Sequence, residues 1–195
     1  MPNHQNTSLT EDRTLQSDGQ PVSEVFRICP ACGAEIEQKA GPFICEKCNY
    51  ANFFGPVLAV GALIENESGE LLLVRRAREP GKGKWGLPGG FVDAGESAEQ
   101  ATAREVHEEV GITIEEFDYM FSGPNLYNYR GIVSPVVDLF FLCRLSAEVQ
   151  IRLAVDELSE FIWTVPKPEH LDNMAFPSNR RALEFWLEHH SGSGR

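Results

Sequence analysis

Short apolar runs separated by polar turns characterise most of the chain after residue 55. The runs PVLAVGALI and ELLLVRR lie between Pro56 and Arg76, and the turn residues Asn66 to Gly69 separate them. Short runs rich in Val, Leu and Ile on either side of such a turn are typical of a β-hairpin. Further along, VVDLFFLCRL and FIWTV predict two more strands.

Two segments have the signals of helices. Gln100 follows Ser97 at the spacing of a capping box, and Gly111 stands where a helix beginning there would end. Ser178 is expected to cap a last helix, NRRALEFWLEHH. Strands and helices mingle without the strict alternation of a doubly wound sheet, which predicts a mixed α/β sandwich.

Polar segments lie at both ends of the chain. Residues 1–24 and 191–195 contain few large apolar side chains, so we expect disordered tails there. Residues 25–53 hold all but one of the five cysteines and are expected to form a small separate module. The remaining residues, 54–190, are expected to form the main domain.

The cysteines of this module form two CxxC pairs, Cys29–Cys32 and Cys45–Cys48. Each pair can place two thiolates on one tight turn, and two such turns facing each other supply the four tetrahedral ligands of Zn²⁺. Gly33 and Asn49 follow the pairs, and both residue types tolerate a left-handed backbone. Redox dithiols or disulfides are the alternative, but two pairs in register favour a structural zinc ion. The segment resembles a zinc ribbon.

The overall charge restricts the classes of partner. Seventeen Lys and Arg stand against 29 Asp and Glu, which gives a formal net charge of −12. A surface this acidic disfavours nucleic acid and anionic membranes, although bound cations can still attract a small anionic substrate. No apolar run approaches the ~20 residues of a membrane span, and the first residues lack the pattern of a secretory signal. We therefore expect a cytoplasmic protein without a membrane partner.

The helix expected after Ser97 carries an unusual cluster of carboxylates. Glu105, Glu108 and Glu109 are spaced i, i+3, i+4 and share one helix face. Like charges at this spacing destabilise an isolated helix by a few tenths of a kcal/mol per pair, roughly. Mg²⁺ prefers carboxylate oxygens and would reverse that repulsion. A solvated acidic face is the alternative.

The surroundings of these glutamates favour the metal site. The chain matches the pattern Gly-x5-Glu-x7-Arg-Glu-apolar-x-Glu-Glu-x-Gly-apolar at every position. The matching residues are Gly90, Glu96, Arg104, Glu105, Val106, Glu108, Glu109, Gly111 and Ile112. This segment resembles the signature box of Nudix hydrolases. The upstream GKWGLPGG and the downstream strands extend the resemblance over about residues 56–188.

The resemblance implies a fold, a reaction and a set of site residues. The fold would be an α/β/α sandwich with a mixed sheet, preceded here by the small zinc ribbon. The reaction would be cleavage of a nucleoside diphosphate linked to another moiety, with two or three Mg²⁺ or Mn²⁺ ions. The resemblance gives the metal ligands as Glu105, Glu108, Glu109 and the Gly90 carbonyl, with Arg104 and Glu96 as their supporting pair. An acidic residue from a later loop would be a further ligand or general base, and Glu157 matches that position better than its competitor Glu160.

A zinc ribbon before such a domain resembles the NADH pyrophosphatase group and its relatives acting on FAD or ADP-ribose. The NADH-specific pattern SQPWPFPxS is replaced here by SGPNLYNY, which retains only Ser122 and Pro124 of its early positions. Tyr127, Tyr129 and Phe176 are candidates for stacking on a substrate ring. A nucleotide-sensing module and a hydrolase of RNA caps or 5′ ends are the alternatives, and a homodimer is one option for the assembly.

Overall fold

The computed structural model describes residues 18–37 and 43–190. Its strands are β1 Gln20–Pro21, β2 Phe43–Ile44, β3 Ala51–Asn52, β4 Val57–Glu65, β5 Leu71–Arg76, β6 Trp85–Gly86, β7 Asp118–Tyr129, β8 Ile132–Arg144 and β9 Leu158–Thr164. Its helices are α1 Val22–Val25, α2 Ala98–Val110, α3 Pro168–Asp172 and α4 Pro177–His190. None of the helices in the described residues is long and apolar enough to cross a membrane.

A mixed sheet forms the centre of the main domain. β8 pairs with β7 in antiparallel orientation along one side and with β4 in parallel orientation along the other. The short β1 runs parallel to the beginning of β8. β5 pairs with β9 and with β6, both antiparallel, and meets β4 at the hairpin turn. The sheet therefore mixes parallel and antiparallel pairs, as the sequence predicts.

Alternating strand residues bury the two faces of the sheet against different helices. Val60, Ala62 and Ile64 belong to the core that includes Val106 and Val110 of α2. The intervening Leu63 belongs to the opposite core, together with Leu183 of α4. Because successive side chains of a strand point to opposite faces, one apolar strand can serve both layers. The α/β/α sandwich is confirmed.

The hairpin between β4 and β5 is confirmed but is short. Glu65 pairs with Leu71, and the Asn66 side chain accepts a hydrogen bond from the Ser68 N–H at 2.9 Å, which closes the turn. Beyond this pair the strands separate, since β4 continues along β8 and β5 along β9. The gap between them receives the segment that contains Gly89 and Gly90, whose backbone hydrogen-bonds to β4.

β7 is a strand that the sequence pattern does not predict. Gly123 and Pro124 interrupt it, and both residue types are disfavoured inside strands. Among the described residues β7 pairs only with β8, so it is an edge strand, where a proline without an N–H can be accommodated. The segment that contains Tyr127 is therefore part of the sheet.

Two predictions near the ends of the chain require correction. The last helix begins at Pro177, a residue that suits the first helical position, so Ser178 lies inside the helix and is buried. Residues 18–24 were expected in a disordered tail, yet Gln20 and Pro21 pair with Ile132 and Val133 of β8. Backbone hydrogen bonds hold this segment in the sheet, and the amino-acid composition does not reveal such bonds. Residues 1–17 and 191–195 lie outside the described residues.

Candidate active site and zinc centre

The local signals around α2 act as the sequence predicts. The Ser97 hydroxyl accepts a hydrogen bond from the Gln100 N–H, and the Gln100 side chain accepts one from the Ser97 N–H. Gly111 ends the helix in the left-handed conformation, with φ of 74°. With both ends fixed and Val106 and Val110 buried in the core, the helix places Glu105 and Glu109 against the segment that contains Gly89 and Gly90.

The three glutamates line one cavity of about 330 Å³. Glu109 is the most deeply placed, with 7% of its surface exposed, whereas Glu105 is half-buried and Glu108 is exposed. The cavity lies where α2 approaches β4 and the Gly89–Gly90 segment. Its other lining residues come from strands β4 to β9, from the loops that connect them and from the beginning of α4.

Arg104 connects the helix to its preceding loop. Its guanidinium donates two hydrogen bonds to the Glu96 carboxylate, at 2.7 and 3.1 Å, and a third to the Phe91 carbonyl at 3.0 Å. It also donates to Glu105 at 2.8 Å and to Glu108 at 3.2 Å. Hydrogen bonds from Arg104 lower the pKa of Glu96. The pair orients two of the cavity carboxylates, which suits the supporting role that the resemblance implies.

Two glycines allow the loop to approach the glutamates closely. The Gly89 N–H donates to Glu109 Oε2 at 3.0 Å, and the Gly90 carbonyl accepts the Val60 N–H at 2.9 Å. A Cβ on Gly89, where φ is +150°, would lie 2.1 Å from the Val60 carbonyl oxygen. A Cβ on Gly90 would lie 2.5 Å from Glu105 Oε1. Only glycine fits at these two positions without displacing a neighbour.

These two contacts predict different consequences of adding a methyl group. Gly89→Ala meets rigid backbone and should lower the free energy of unfolding by roughly 3 kcal/mol or more. Gly90→Ala meets the end of a side chain, so it should displace the Glu105 carboxylate and reduce turnover while the fold is largely retained. Urea unfolding and steady-state turnover of both variants check this contrast. Equal losses of stability in the two variants would contradict it.

Burial and mutual repulsion perturb the acids of the cavity. Burial, together with the charges of Glu105 and Glu157, raises the pKa of Glu109 to about 8, although the hydrogen bond from Gly89 acts in the opposite direction. Burial also raises the pKa of Glu105, against the hydrogen bond from Arg104. Several carboxylates facing one cavity with few cations form an oxygen-rich site that suits Mg²⁺ or Mn²⁺. Glu105, Glu108 and Glu109 are the side chains that would hold these ions.

Glu157, which directly precedes β9, contributes a further acid to the cavity, and its charge acts on both Glu105 and Glu109. Arg78, also in the lining, forms an ion pair with it. Glu160 instead pairs with Arg75 at 2.7 Å and does not line this cavity. The structure thus brings Glu157, and not Glu160, to the α2 glutamates.

The cysteine cluster has the geometry of a tetrahedral zinc site. Sγ of Cys29 lies 3.7 Å from Sγ of Cys48, and Sγ of Cys32 lies 3.7 Å from Sγ of Cys45. A tetrahedron with Zn–S bonds of about 2.3 Å has edges of roughly 3.8 Å. All four thiols are free of disulfide bonds, and their ligand atoms lie within 4.8 Å of one another. The four residues present therefore fit one zinc ion.

Both turns that carry the cysteines have the expected backbone. Gly33 and Asn49 are left-handed, with φ of 70° and 57°, as predicted. The Gly33 N–H donates to the Cys29 carbonyl and the Asn49 N–H to the Cys45 carbonyl. Four protein thiolates leave no position for a substrate, which is the arrangement of structural zinc sites. Residues 38–42, between the two turns, lie outside the described residues.

The family follows from comparison with known proteins. The model of the NUDIX domain matches residues 55–184, which is most of the chain and contains the entire carboxylate cluster. The chain belongs to the Nudix hydrolase family. A solved MutT Nudix hydrolase from Burkholderia pseudomallei superposes with a TM-score of 0.54 and 31% identity, over 67% of this chain and 97% of that one.

Curated Nudix relatives include proteins with different named activities. An ADP-ribose pyrophosphatase from Methanocaldococcus jannaschii is 43% identical over 63 residues, which are 32% of this chain and 37% of the relative. A NAD-capped RNA hydrolase NudC from Haemophilus influenzae is 34% identical over 172 residues, which are 83% of this chain and 62% of the relative. In both cases the match spans less than two-thirds of the relative's length.

Of the three aromatic residues predicted to contact substrate, two line the cavity that contains the α2 glutamates, here called the Nudix cavity. Tyr127 lines it and packs edge-to-face on Phe91, with ring centroids 5.2 Å apart. Phe176 lines it with the Arg76 guanidinium 5.2 Å above its ring. Tyr129 lies at the tip of the β7–β8 hairpin, is 60% exposed and does not line the cavity. The substrate-binding prediction for Tyr129 has no structural support, because the strand carries it beyond the site.

The Nudix cavity also contains polar residues that the sequence reasoning missed. Asn125, Asp138 and Asn179 line it and are almost completely buried. Burial raises the pKa of Asp138, against the hydrogen bonds that its carboxyl accepts. A single aspartate inside the apolar run VVDLFFLCRL was an available signal, because charged residues are rarely buried without a partner or a role. Nothing in the local pattern indicates that Asn125 and Asn179 lie beside it.

Proposed function

We propose that this chain hydrolyses the diphosphate linkage between an adenosine 5′-phosphate and a second phosphorylated group, with ADP-ribose as the representative substrate. The convergence of Glu105, Glu108, Glu109 and Glu157 on one cavity is the observation that carries the proposal. The relative named ADP-ribose pyrophosphatase supports the substrate class, although the match covers only a part of that protein.

The reaction adds water across one phosphoanhydride bond. Water oxygen attacks one phosphorus, the P–O–P bridge breaks, and the products are AMP and the second phosphate monoester. When bound, divalent cations would neutralise the diphosphate oxygens and make a coordinated water more acidic. Glu157 lines the same cavity as the α2 glutamates and would accept the proton from the attacking water. Arg104 keeps Glu105 and Glu108 oriented, and Arg78 supplies a positive charge at the cavity wall.

The general-base role of Glu157 has a matched control in the same segment. Glu157→Gln should lower kcat about a hundredfold, because an amide cannot accept the proton. Glu160→Gln removes an equal charge outside the cavity and should leave kcat near that of the wild type. Steady-state hydrolysis of ADP-ribose with Mg²⁺ measures both. A larger loss in the Glu160 variant than in the Glu157 variant would contradict the assignment.

Hydrolysis of NAD-capped RNA is a second candidate, which the similarity to a NAD-capped RNA hydrolase over 83% of this chain favours. The net charge of −12 opposes tight binding of a long RNA. A cap hydrolase would still cleave the same kind of diphosphate linkage. The two candidates therefore differ in what extends beyond the diphosphate, and not in the chemistry of the site.

A chromatographic screen separates these candidates. The panel contains ADP-ribose, NADH, FAD, coenzyme A, diadenosine polyphosphates, 8-oxo-dGTP and NAD-capped RNA, each with Mg²⁺ and with Mn²⁺. AMP released from ADP-ribose at a higher kcat/KM than from the other substrates would support the proposal. Preference for NAD-capped RNA would favour the second candidate. Nucleotide binding without hydrolysis of any substrate would indicate a nucleotide-sensing module instead of an enzyme.

A further inference from the structure

Three buried polar side chains form one wall of the cavity, away from the carboxylates of α2. Asn125 of β7, Asp138 of β8 and Asn179 of α4 are 8%, 7% and 9% exposed. Asp138 pairs with Gly123 and Asn125 pairs with Val136, so Asp138 and Asn125 are diagonal neighbours on one face of the sheet. Asn179 stands near the beginning of α4, the helix that covers this face. Three separate elements thus bring their polar groups to one place.

The hydrogen bonds within this wall are incomplete. Asn125 Nδ2 donates to Asp138 Oδ2 at 2.9 Å, and Asn125 Oδ1 accepts the Leu126 N–H at 2.9 Å. Asn125 is therefore held in one orientation and holds the aspartate. The Asn179 amide, by contrast, has no hydrogen-bond partner among the residues that the structure describes. Because Asn179 lines the cavity, its amide is free to bond to a group of a bound ligand.

The rest of the wall indicates the shape of that ligand. Tyr127 and Phe176 line the same cavity and offer aromatic surface to a planar ring. The polar groups are a carboxylate acceptor and an amide that can donate and accept. Adenine presents a matching edge, because its exocyclic amine donates while the adjacent ring nitrogen accepts, and an Asn amide can bond to both. A purine with a carbonyl at that position would place its oxygen against the Asp138 carboxylate.

We propose that Asn125, Asp138 and Asn179 form the subsite that recognises the adenine base of the substrate. Asn179 bonds to the amine and ring nitrogen of the base, Asp138 accepts a second hydrogen from the amine, and Asn125 positions Asp138. Asn125 is a positioning residue, because its own amide is committed to protein groups. This inference rests on the proposed function for the identity of the substrate class, but its test does not require catalysis.

The test compares binding of AMP and IMP, in which the 6-amine of adenine is replaced by a carbonyl and the neighbouring ring nitrogen N1 carries a hydrogen. Isothermal titration of the full zinc-loaded chain with Mg²⁺ should show AMP binding at least about tenfold more tightly than IMP. Asn179→Ala should weaken AMP binding about tenfold and leave IMP binding unchanged. Asp138→Asn replaces the carboxylate acceptor by an amide that can donate to the IMP carbonyl. This variant should therefore reduce or reverse the preference for AMP over IMP.

Asp118→Asn is the matched control, since Asp118 is an exposed carboxylate of β7 that pairs with Arg144 outside the cavity. It should leave the AMP preference unchanged, and urea unfolding of each variant should show that the fold is retained. Equal affinity of the wild type for AMP and IMP, no measurable binding of either, or an unchanged preference in Asn179→Ala would overturn the subsite.

Hydrolysis assays keep this inference separate from the proposed function. If ADP-ribose and its hypoxanthine counterpart are hydrolysed at comparable rates, the adenine subsite is contradicted, whereas the pyrophosphatase proposal is not. If the protein binds AMP selectively but hydrolyses no diphosphate-linked substrate, the adenine subsite is supported and the proposed reaction is contradicted.

Discussion

Replacing Glu109 by Gln is expected to lower turnover more than a hundredfold while the protein remains folded. Glu109 is the most buried of the three α2 glutamates and is fixed by the Gly89 N–H. An amide retains this shape and an oxygen for the same hydrogen bond, but it removes the negative charge that would hold a divalent cation. Loss of a charged cavity ligand should therefore affect catalysis much more than structure.

The same substitution should stabilise the metal-free protein at alkaline pH. The pKa of Glu109 is about 8 in the fold against 4.5 for an unperturbed Glu, so the folded state holds this proton more tightly than the unfolded chain does. The contribution of Glu109 to stability is therefore full below about pH 4.5 and is lost as the pH rises through about 8. The neutral Gln avoids this loss.

Thermal unfolding at pH 6 and pH 8.5, in EDTA and in Mg²⁺, measures both effects. In EDTA at pH 8.5 the variant should unfold at a higher temperature than the wild type, and Mg²⁺ should stabilise the wild type more than the variant. Glu115→Gln is the control, because Glu115 is exposed and does not line the cavity. Near-wild-type turnover of Glu109→Gln would contradict the mechanism proposed for this site.

Removal of zinc is expected to unfold the cysteine-rich module while the main domain remains folded. Structural zinc binding supplies about 10–16 kcal/mol of apparent free energy in small modules, which is far more than their cores provide. The core of this module is a small cluster around Cys29, Ile36, Phe43 and Cys45, whereas the main domain has two larger cores of its own. The module therefore depends on the ion and the sheet does not.

Metal analysis and hydrogen exchange check this prediction. The purified chain should contain one zinc ion, and Cys32→Ser should reduce that content, whereas Cys143→Ser should not because Cys143 is buried in the main sheet. After chelation, amides around the two CxxC turns should lose protection, and added Zn²⁺ should restore it. A zinc content far below one per chain, not recovered by adding zinc, would be incompatible with the site.

The parts of the site that the sequence predicts are those encoded by local signals. The capping box of Ser97 and Gln100, the end at Gly111 and the spacing of the glutamates all lie within one segment, so α2 and its acidic face follow from the sequence alone. The two CxxC turns are equally local. In each case, side chains only a few residues apart determine the geometry.

The parts that the sequence does not predict depend on distant pairing. β7 is hard to predict because it contains Pro124. A proline is tolerated in a strand at the edge of a sheet, and the neighbouring residues do not show that β7 is an edge strand. Gln20 and Pro21 enter the sheet through backbone bonds to a partner more than a hundred residues away. Likewise Asn125, Asp138 and Asn179 become one wall only after β7, β8 and α4 assemble.

Hydrolysis of ADP-ribose in ¹⁸O-labelled water tests the central claim most directly. With Mg²⁺ present, mass spectrometry should find AMP and a ribose phosphate as the products, with one labelled oxygen in a phosphate group of one of them. EDTA or Glu109→Gln should suppress both products. An intact substrate under all conditions, or label attached to ribose carbon instead of phosphorus, would contradict cleavage of the diphosphate by water at this site.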